Sequence, residues 1–481
     1  MDSDQYDLLY GGGYSIKDYY MESGNPRQMR GASDLLRDCA EKVKKMLKIS
    51  YNVEESDVFT GGSTLCAKVP RKEGEDFKEK EKSIVKESED IFRTNCRTAS
   101  AAFVFVEIGQ EGYGASSRIA HAKYDKRRAA KFTDWSFQNG EASGWIQSKN
   151  CKSLIFGGLD DDIIKKAPAR CSRCRLRDPK YFFRHDNGEE QYLCESCARR
   201  EDRSCNIKYD MRIKCGSKFD CSYEIDTMSM LKDGSGRVAL LYADINDLGG
   251  QALREEFEDD KKFHEDVSKA ARDAIYTAIR EAMDYDKAPE DKLIPAKFEI
   301  ISLAGDDICL LLPGNVALLT ANTIINEFDK ENHLGLTISV AACVANDTTA
   351  ISYMKSIVEK ALKDAKERAH DTGQSAINLS FFERPSGLFP MTTDEMNDFT
   401  ALLRKSSAIA VTAIRNISEA RRELVFDEEF KLFLRYHLSR DVPSIKRSRS
   451  VMEQIDKKYE GLNPWHDFIT WHDQKLGGDN P

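Results

Sequence analysis

The chain has 481 residues, of which 41% are hydrophobic, and its formal net charge is -9 at pH 7. This length allows about three packed domains, and the acidic balance excludes a protein that binds nucleic acid through its overall charge. No apolar run approaches the roughly 18 residues that span a bilayer, and the N-terminus lacks the basic and apolar regions of a signal peptide. We therefore expect a cytoplasmic protein without membrane contact.

The first segment, residues 1–165, alternates strand and helix patterns. An apolar run at residues 8–10, a helical period over residues 30–47 and a hairpin pattern over residues 57–69 come first. Residues 71–91 are mostly Lys and Glu and predict an exposed helix or loop, and a strand and a helix follow at residues 101–108 and 115–131. This order predicts an α+β, ferredoxin-like sheet with helices on one face.

Residues 166–225 contain a metal-binding pattern. Four cysteines form two CxxC pairs that are separated by 19 residues: Cys171, Cys174, Cys194 and Cys197. This spacing is typical of a tetrahedral structural zinc site, and thirteen cysteines without a signal peptide favour reduced thiols over a disulfide framework. Three further cysteines follow: Cys205, Cys215 and Cys221. We expect ordinary thiols there, with a second metal site as the alternative.

The alternating order returns over residues 226–384. A buried-strand pattern at residues 237–244 ends on Asp244, and a hairpin pattern at residues 300–311 carries Asp306 and Asp307 at its turn. If the two strands are neighbours, three carboxylates converge, and such a cluster needs a hard divalent cation to neutralise it. Carboxylates collect magnesium for phosphoryl transfer in this way, so the pattern predicts a metal-dependent nucleotidyltransferase.

Residues 385–481 differ in character. Strand patterns vanish, and amphipathic helices are predicted near residues 395–410, 413–440 and 448–460. We interpret this part as a separate helical C-terminal domain.

The two α/β segments share short matches that indicate a duplicated fold. Residues 8–10 match residues 240–242, residues 60–63 match residues 304–307, and residues 122–123 match residues 365–366. In this alignment Gly12 stands where the second copy has Asp244. Gly62 and Ser63 stand where it has Asp306 and Asp307. Only the second copy is therefore expected to hold metal.

Together these features resemble the large polymerase/cyclase subunit of type III CRISPR effector complexes. That family has two palm domains of nucleotidyl cyclase type around a zinc ribbon, a helical C-terminal domain, and carboxylates on the second palm. Its Gly-Gly-Asp-Asp signature, related to the Gly-Gly-Asp/Glu-Glu-Phe turn of diguanylate cyclases, stands here as Ala304-Gly305-Asp306-Asp307. An Arg-Gly-x-Ser stretch at the first helix stands as Arg30-Gly31-Ala32-Ser33. Many members begin with an HD nuclease domain, and we expect a variant without it.

The resemblance implies synthesis of cyclic oligoadenylate from ATP, with guide RNA and other effector subunits as partners. The implied ligands for magnesium or manganese are Asp244, Asp306, Asp307 and the Ile245 carbonyl, and the implied nucleotide contacts are Gly305, Lys366, Gly61, Gly62 and Ser63. A non-catalytic scaffold that binds guide RNA is the main alternative, and a stand-alone signalling cyclase is another. A diguanylate cyclase is disfavoured because Ile308 and Asp307 replace the usual Phe and Glu.

Overall fold

The computed structural model describes most of the chain. The described residues are 6–61, 64–72, 74–130, 154–157, 166–184, 188–205, 210–222, 225–248, 254–304, 307–330, 335–382, 387–406, 409, 411–423, 427–439, 443–459, 462, 464–472 and 474–475. Gly62, Ser63, Gly305 and Asp306, which the sequence singles out, lie outside them.

The first half of the fold is a four-stranded antiparallel sheet with the strand order β2-β3-β1-β4. Its elements are β1 (Tyr6–Tyr14), α1 (Ile16–Tyr20), α2 (Pro26–Tyr51), β2 (Val58–Gly61), β3 (Thr64–Pro70), α3 (Phe77–Cys96), β4 (Ser100–Glu107) and α4 (Gly112–Ala129). The predicted order of strands and helices is confirmed.

Helices cover both faces of this sheet, so the prediction of helices on one face is wrong. Leu9 and Phe103 pack with α2 and α3, whereas Leu8 and Val104 belong to a second core with Tyr124 of α4. The physical reason is that side chains alternate across a strand, and both sets in β1 and β4 are apolar.

Two helices show how local sequence fixes their ends. The Asn25 side chain accepts a hydrogen bond from the Gln28 N–H, and Pro26 occupies the first turn, so α2 begins there. Asp76 caps α3 in the same way. The segment predicted as an exposed helix or loop is therefore a helix, and it buries one face that includes Ile84 and Phe92.

The middle of the chain forms a small three-stranded sheet, β5-β6-β7. Its elements are β5 (Leu154–Gly157), β6 (Tyr181–Arg184), β7 (Glu190–Leu193) and α5 (Glu195–Ser204), and α6 (Met211–Cys215) and β8 (Phe219–Asp220) follow. Strand β5 lies before residue 166, where we predicted this module to begin, yet it pairs with β6.

The second half contains a six-stranded sheet with the order β11-β12-β9-β13-β14-β15. The elements of this half are β9 (Arg237–Ile245), α7 (Phe257–Ala282), β10 (Ile294–Pro295), β11 (Glu299–Ala304), β12 (Asp307–Pro313), α8 (Ala317–Lys330), β13 (Ile338–Asn346), α9 (Ile351–Thr372), β14 (Ala376–Phe381) and β15 (Met391–Thr392). Strand β10 lies outside the six-stranded sheet and pairs with β8. In the six-stranded sheet the strands run from β11 to β15. Its first four strands repeat the order of the first sheet. Strand β15 extends the sheet beyond residue 384, where we predicted this domain to end.

Strand registers correct the alignment of the two hairpins. Tyr10 lies opposite Cys66, and Tyr242 lies opposite Cys309 in the same way. The two cysteines are 243 positions apart in the sequence, so the offset at this hairpin is 243 rather than 244.

The corrected register changes which residues are equivalent. Gly61 pairs with Thr64 across the first turn, and Ala304 pairs with Asp307 across the second. Thr64, rather than Ser63, is therefore the counterpart of Asp307. By the same offset Ser63, rather than Gly62, is the counterpart of Asp306. The first copy still offers no carboxylate at these positions.

The C-terminal region is helical, as predicted. Its helices are α10 (Thr393–Ser406), α11 (Val411–Glu423), α12 (Asp427–Ser439), α13 (Pro443–Lys458) and α14 (Pro464–Thr470). The segment at 413–440, which we predicted as one helix, contains two. Trp471 packs edge-on against Phe381 of β14 and joins this region to the core of the second sheet. Among the described residues, no helix has the length and apolarity needed to cross a membrane.

The two halves pack against each other reciprocally. Helix α2 of the first half contacts β11 of the second, and α7 of the second half contacts β2 of the first. One hydrophobic core contains residues from both halves, including Leu9 and Tyr242. Each hairpin therefore lies against the long helix of the other half.

Candidate functional site

Two carboxylates lie side by side where β9 and β12 meet the hairpin turn. Ile308 is directly opposite Ala243 in the antiparallel pair, so Asp307 and Asp244 are the next residues outward on the two strands. The neighbouring strands that the sequence required are therefore present. Asp306, the third predicted carboxylate, and Gly305 lie outside the described residues.

Each of these carboxylates forms an ion pair with a lysine. Lys366 Nζ on α9 lies 2.5 Å from Asp244 Oδ2. Lys17 Nζ on α1 lies 3.0 Å from Asp307 Oδ1 and 5.0 Å from the centre of the Tyr242 ring. Sequence reasoning selected Lys366 as a phosphate contact and missed Lys17. The first half of the chain thus places a cation in the site of the second.

The charges of this cluster influence one another. Burial raises the pKa of the Asp307 carboxyl, Lys17 opposes that rise, and the negative Asp244 adds to it. Burial alone would lower the pKa of Lys17, but the carboxylates of Asp307 and Asp244 outweigh it and raise that pKa. The carboxylates are each 18% exposed, so solvent screens them only partly.

The donor set fits a hard divalent cation. Adjacent carboxylate oxygens are the ligands that magnesium prefers, and two partly buried negative charges are stable together only with compensating positive charge. In this structure the lysines supply that charge. Asp244 and Asp307 would hold the metal, which would neutralise charge on bound phosphates.

The backbone beyond Asp244 is held in place. Ile245 pairs with Ile338 of β13, and the Asn246 N–H donates to the Thr337 carbonyl over 2.8 Å. The Ser339 hydroxyl donates to Asn246 Oδ1 at 2.9 Å. These bonds fix the strand end that carries Asp244. The role of the Ile245 carbonyl as a metal ligand stays a prediction.

We expect the Lys17→Met variant to bind Mn²⁺ about fivefold more tightly without nucleotide, because the ion must otherwise displace the ammonium group from Asp307. Isothermal titration calorimetry with Mn²⁺ measures this directly. Lys355→Met is the matched control. Like Lys17, Lys355 forms an ion pair with a carboxylate, but its partner is Asp18 on α1, at 2.5 Å, and the pair lies outside the site. Unchanged or weaker Mn²⁺ binding by Lys17→Met would contradict a competing role.

A cavity of about 390 Å³ lies between the two halves beside the first hairpin. Gly12, Thr60 and Thr64 line it from the first half, and Ser302 lines it from the second. Three cationic side chains also line it: Arg37, Lys214 and Arg272. Glu41 is the one acidic side chain in this lining, so the cations outnumber it and suit a phosphorylated ligand.

The four predicted zinc ligands come together. The thiol sulfurs of Cys171, Cys174, Cys194 and Cys197 all lie within 4.8 Å of one another, and all four residues are buried. Four converging buried thiols fit a tetrahedral structural zinc ion. Within the described ranges, no second group of metal-type ligands is present, so Cys215 and Cys221 form no further site there. Cys205 is disulfide-bonded, so the expectation of an ordinary thiol is wrong at this position. Arg27 Nη2 lies 2.9 Å from its sulfur.

Metal analysis tests this cluster. We expect about one zinc ion per chain in the wild type and a loss of most of it in Cys174→Ser, because a hydroxyl replaces a thiolate ligand. Cys215→Ser is the control, since Cys215 is buried outside the cluster and its thiol lies 3.8 Å from the Tyr276 carbonyl. Equal zinc contents in the two variants would exclude the assignment.

The zinc module contacts the first half through α5 and α2. A Cβ atom added to Gly31 would lie 1.9 Å from the Arg200 carbonyl oxygen, so the two helices approach as closely as glycine allows. Buried Arg27 pairs with buried Glu201 at 2.7 Å. Arg30 pairs with Glu299 on β11. Helix α2 thus links the zinc module to the hairpin of the second half.

The second half is similar to a known protein family. Residues 237–374 match the family described as Cas10/Cmr2, second palm domain. We therefore call this half the second palm. The second palm thus contains Asp244, Asp307 and Lys366. The comparison of the sequence with curated proteins gives no match.

Solved structures of Csm1 share the fold over nearly the whole chain. A Csm1-Csm4 cassette in complex with cA3 aligns with a TM-score of 0.63 at 14% identity, over 98% of this chain and 70% of that chain. The apo Csm1-Csm4 cassette aligns with a TM-score of 0.62 at 13% identity, over the same shares of the two chains. Csm1 in T. onnurineus gives 0.61 at 13%, again over 98% and 70%. The second palm and its surroundings thus have the Csm1 architecture that the sequence resemblance implied.

Proposed function

We propose that this protein joins ATP molecules into cyclic oligoadenylate in a type III CRISPR-like antiviral defence. The observation that carries the proposal is the adjacent pair Asp244 and Asp307 at the strand ends of a half that is similar to a Cas10/Cmr2 second palm. Ser302, whose hydroxyl donates to the Asp307 carbonyl at 2.9 Å, also lines the interdomain cavity. Solved structures of the Csm1-Csm4 cassette contain cA3, cA4, one ATP or AMPPNP, which supports this choice of substrate.

The proposed reaction joins the 3′-oxygen of one nucleotide to the α-phosphorus of the next. The bond from that phosphorus to pyrophosphate breaks, and the 3′-hydroxyl proton leaves. Bound divalent ions would lower the pKa of the hydroxyl and neutralise the leaving pyrophosphate. We assign Asp244, Asp306, Asp307 and the Ile245 carbonyl to holding those ions.

The remaining assignments concern the two nucleotides. We assign Lys366, which lies 2.5 Å from Asp244, and Gly305 to the triphosphate of the nucleotide on the second palm. The other nucleotide would occupy the cavity that Thr60 and Thr64 line, with its phosphates facing Arg37 and Arg272. Gly61, Gly62 and Ser63 are its proposed contacts. This arrangement requires both palms. By likeness to the Csm1-Csm4 cassette structures, we propose that another effector subunit is a partner. Guide RNA as a partner is proposed from the sequence resemblance alone.

The test is an assay of the purified protein with magnesium or manganese and each labelled nucleoside triphosphate, with and without RNA. We expect cyclic oligoadenylate and pyrophosphate from ATP, with the products resolved by mass. Linear or guanine-containing products would contradict the proposed substrate and product. No product under any condition, including added effector subunits, would favour the scaffold alternative.

A further inference from the structure

A groove on the outer surface of the first palm concentrates positive charge in an acidic protein. It lies between α3 and α4, has a volume of about 650 Å³, and is lined by seven basic and two acidic side chains. We call it the α3–α4 groove. The chain as a whole has a net charge of -9, so this local excess does not follow from composition.

Most of this charge is available to a ligand. Lys78, Lys82, Lys123 and Lys126 are exposed and form no ion pair with any part of the chain that the structure describes. Lys86 and Arg93 share Asp90 at the groove margin. Of the two acids in the lining, one is neutralised, since Glu89 binds Arg127 at 2.7 Å.

The cations are arranged in rows. Lys78, Lys82 and Lys86 are spaced four residues apart on α3, so they follow one face about 6 Å from each other. Lys123 and Lys126 line the opposite wall from α4. Rows of like charge repel each other, and a ligand with regularly repeating negative charge would relieve that repulsion.

The duplicated fold shows that the palm architecture does not require this charge. Helix α8 follows the second hairpin as α3 follows the first, and Lys330 is its single basic residue. Instead of facing a groove, α8 packs against α10 of the C-terminal region. The basic row on α3 therefore has no counterpart on α8.

We propose that the α3–α4 groove binds the phosphodiester backbone of a single-stranded nucleic acid without reading its bases. Evenly spaced cations on two walls suit repeating phosphates better than the irregular charges of an acidic protein segment. The groove floor includes Phe103, which is only 1% exposed and offers no surface for base stacking. Contacts to phosphates alone are sequence-independent and strongly salt-dependent. This inference is independent of the carboxylate site.

Fluorescence anisotropy with fluorescein-labelled oligouridylate and oligothymidylate of about 20 nucleotides tests the proposal at about 50 mM salt and above. The groove variant combines Lys82→Glu, Lys123→Glu and Lys126→Glu. The control variant makes the same change in charge at exposed lysines on α2, α7 and α9: Lys48→Glu, Lys262→Glu and Lys360→Glu. Thermal melts of all three proteins check folding.

We expect the groove variant to bind at least about tenfold more weakly than the wild type, and the control variant to bind within about twofold of it. Four phosphate contacts predict a slope of about -3 when the logarithm of the wild type's association constant is plotted against the logarithm of the salt concentration. The RNA and DNA arms identify which backbone is preferred. The proposal would be overturned if the wild type bound neither probe. It would also be overturned if both variants bound equally weakly, or if the groove variant bound as tightly as the wild type.

Discussion

In the Asp307→Asn variant, ATP-dependent pyrophosphate release is expected to fall by about a thousandfold or more. The change is nearly isosteric but removes one negative ligand from the pair at the strand ends and leaves Lys17 without its partner. Loss of several kcal/mol of charge stabilisation gives a rate change of this size, since each 1.36 kcal/mol is a factor of ten. We expect a similar fall in pyrophosphate release for the Asp244→Asn variant. A coupled assay for pyrophosphate measures both variants.

Asp347→Asn provides the matched control for these variants. Asp347 belongs to the same palm but pairs with Lys232 on the surface, so activity should stay near that of the wild type. Thermal melts should show that all three variants are folded. Pyrophosphate release that persists in Asp307→Asn and Asp244→Asn would exclude these carboxylates as metal ligands and with them the proposed chemistry.

Gly31→Ala is expected to destabilise the protein by about 3 kcal/mol, although alanine is the better helix former by roughly 1 kcal/mol. The reason is the close approach of α5, where the new Cβ would lie 1.9 Å from the Arg200 carbonyl oxygen. The carbonyl group belongs to the backbone of α5 and cannot rotate away as a side chain can. Helices α2 and α5 must therefore move apart. Urea denaturation monitored by circular dichroism gives the change in the free energy of unfolding.

Ser50→Ala is the control for the helix propensity of α2, because Ser50 is exposed in the last turn of that helix. It should change the stability by less than about 0.5 kcal/mol. A Gly31→Ala variant as stable as the wild type, or more stable, would show that α5 does not rest on α2 in the way described.

The sequence contains the information for the hairpin at β11 and β12, because two apolar runs flank a short polar turn and leave few alternatives. The zinc cluster is also predictable from the sequence, since the spacing of two CxxC pairs indicates that the four thiols meet at one metal ion. The adjacency of Asp244 and Asp307 required one assumption, that β9 and β12 are neighbours, and the register confirms it.

Contacts between distant segments were beyond sequence reasoning. Lys17 and Asp307 are far apart in the chain, and nothing in the pattern around Lys17 distinguishes it from a solvated helix charge. The buried pair of Arg30 with Glu299 has the same origin, since it depends on how the two halves dock. The match between residues 60–63 and 304–307, which share a single glycine, also misplaced the first turn by one residue, and the strand registers correct it.

The reciprocal packing of α2 on β11 and of α7 on β2 has a consequence for how the protein can evolve. It makes the chain an internal dimer whose subunits are no longer interchangeable. The first half has no carboxylate at the positions that match Asp244, Asp306 and Asp307, but its helix α2 still packs against the hairpin of the second half. A substitution that weakens the packing of α2 on β11 is therefore expected to disturb the second half as well, whereas the outer surface of the first half can change without that effect.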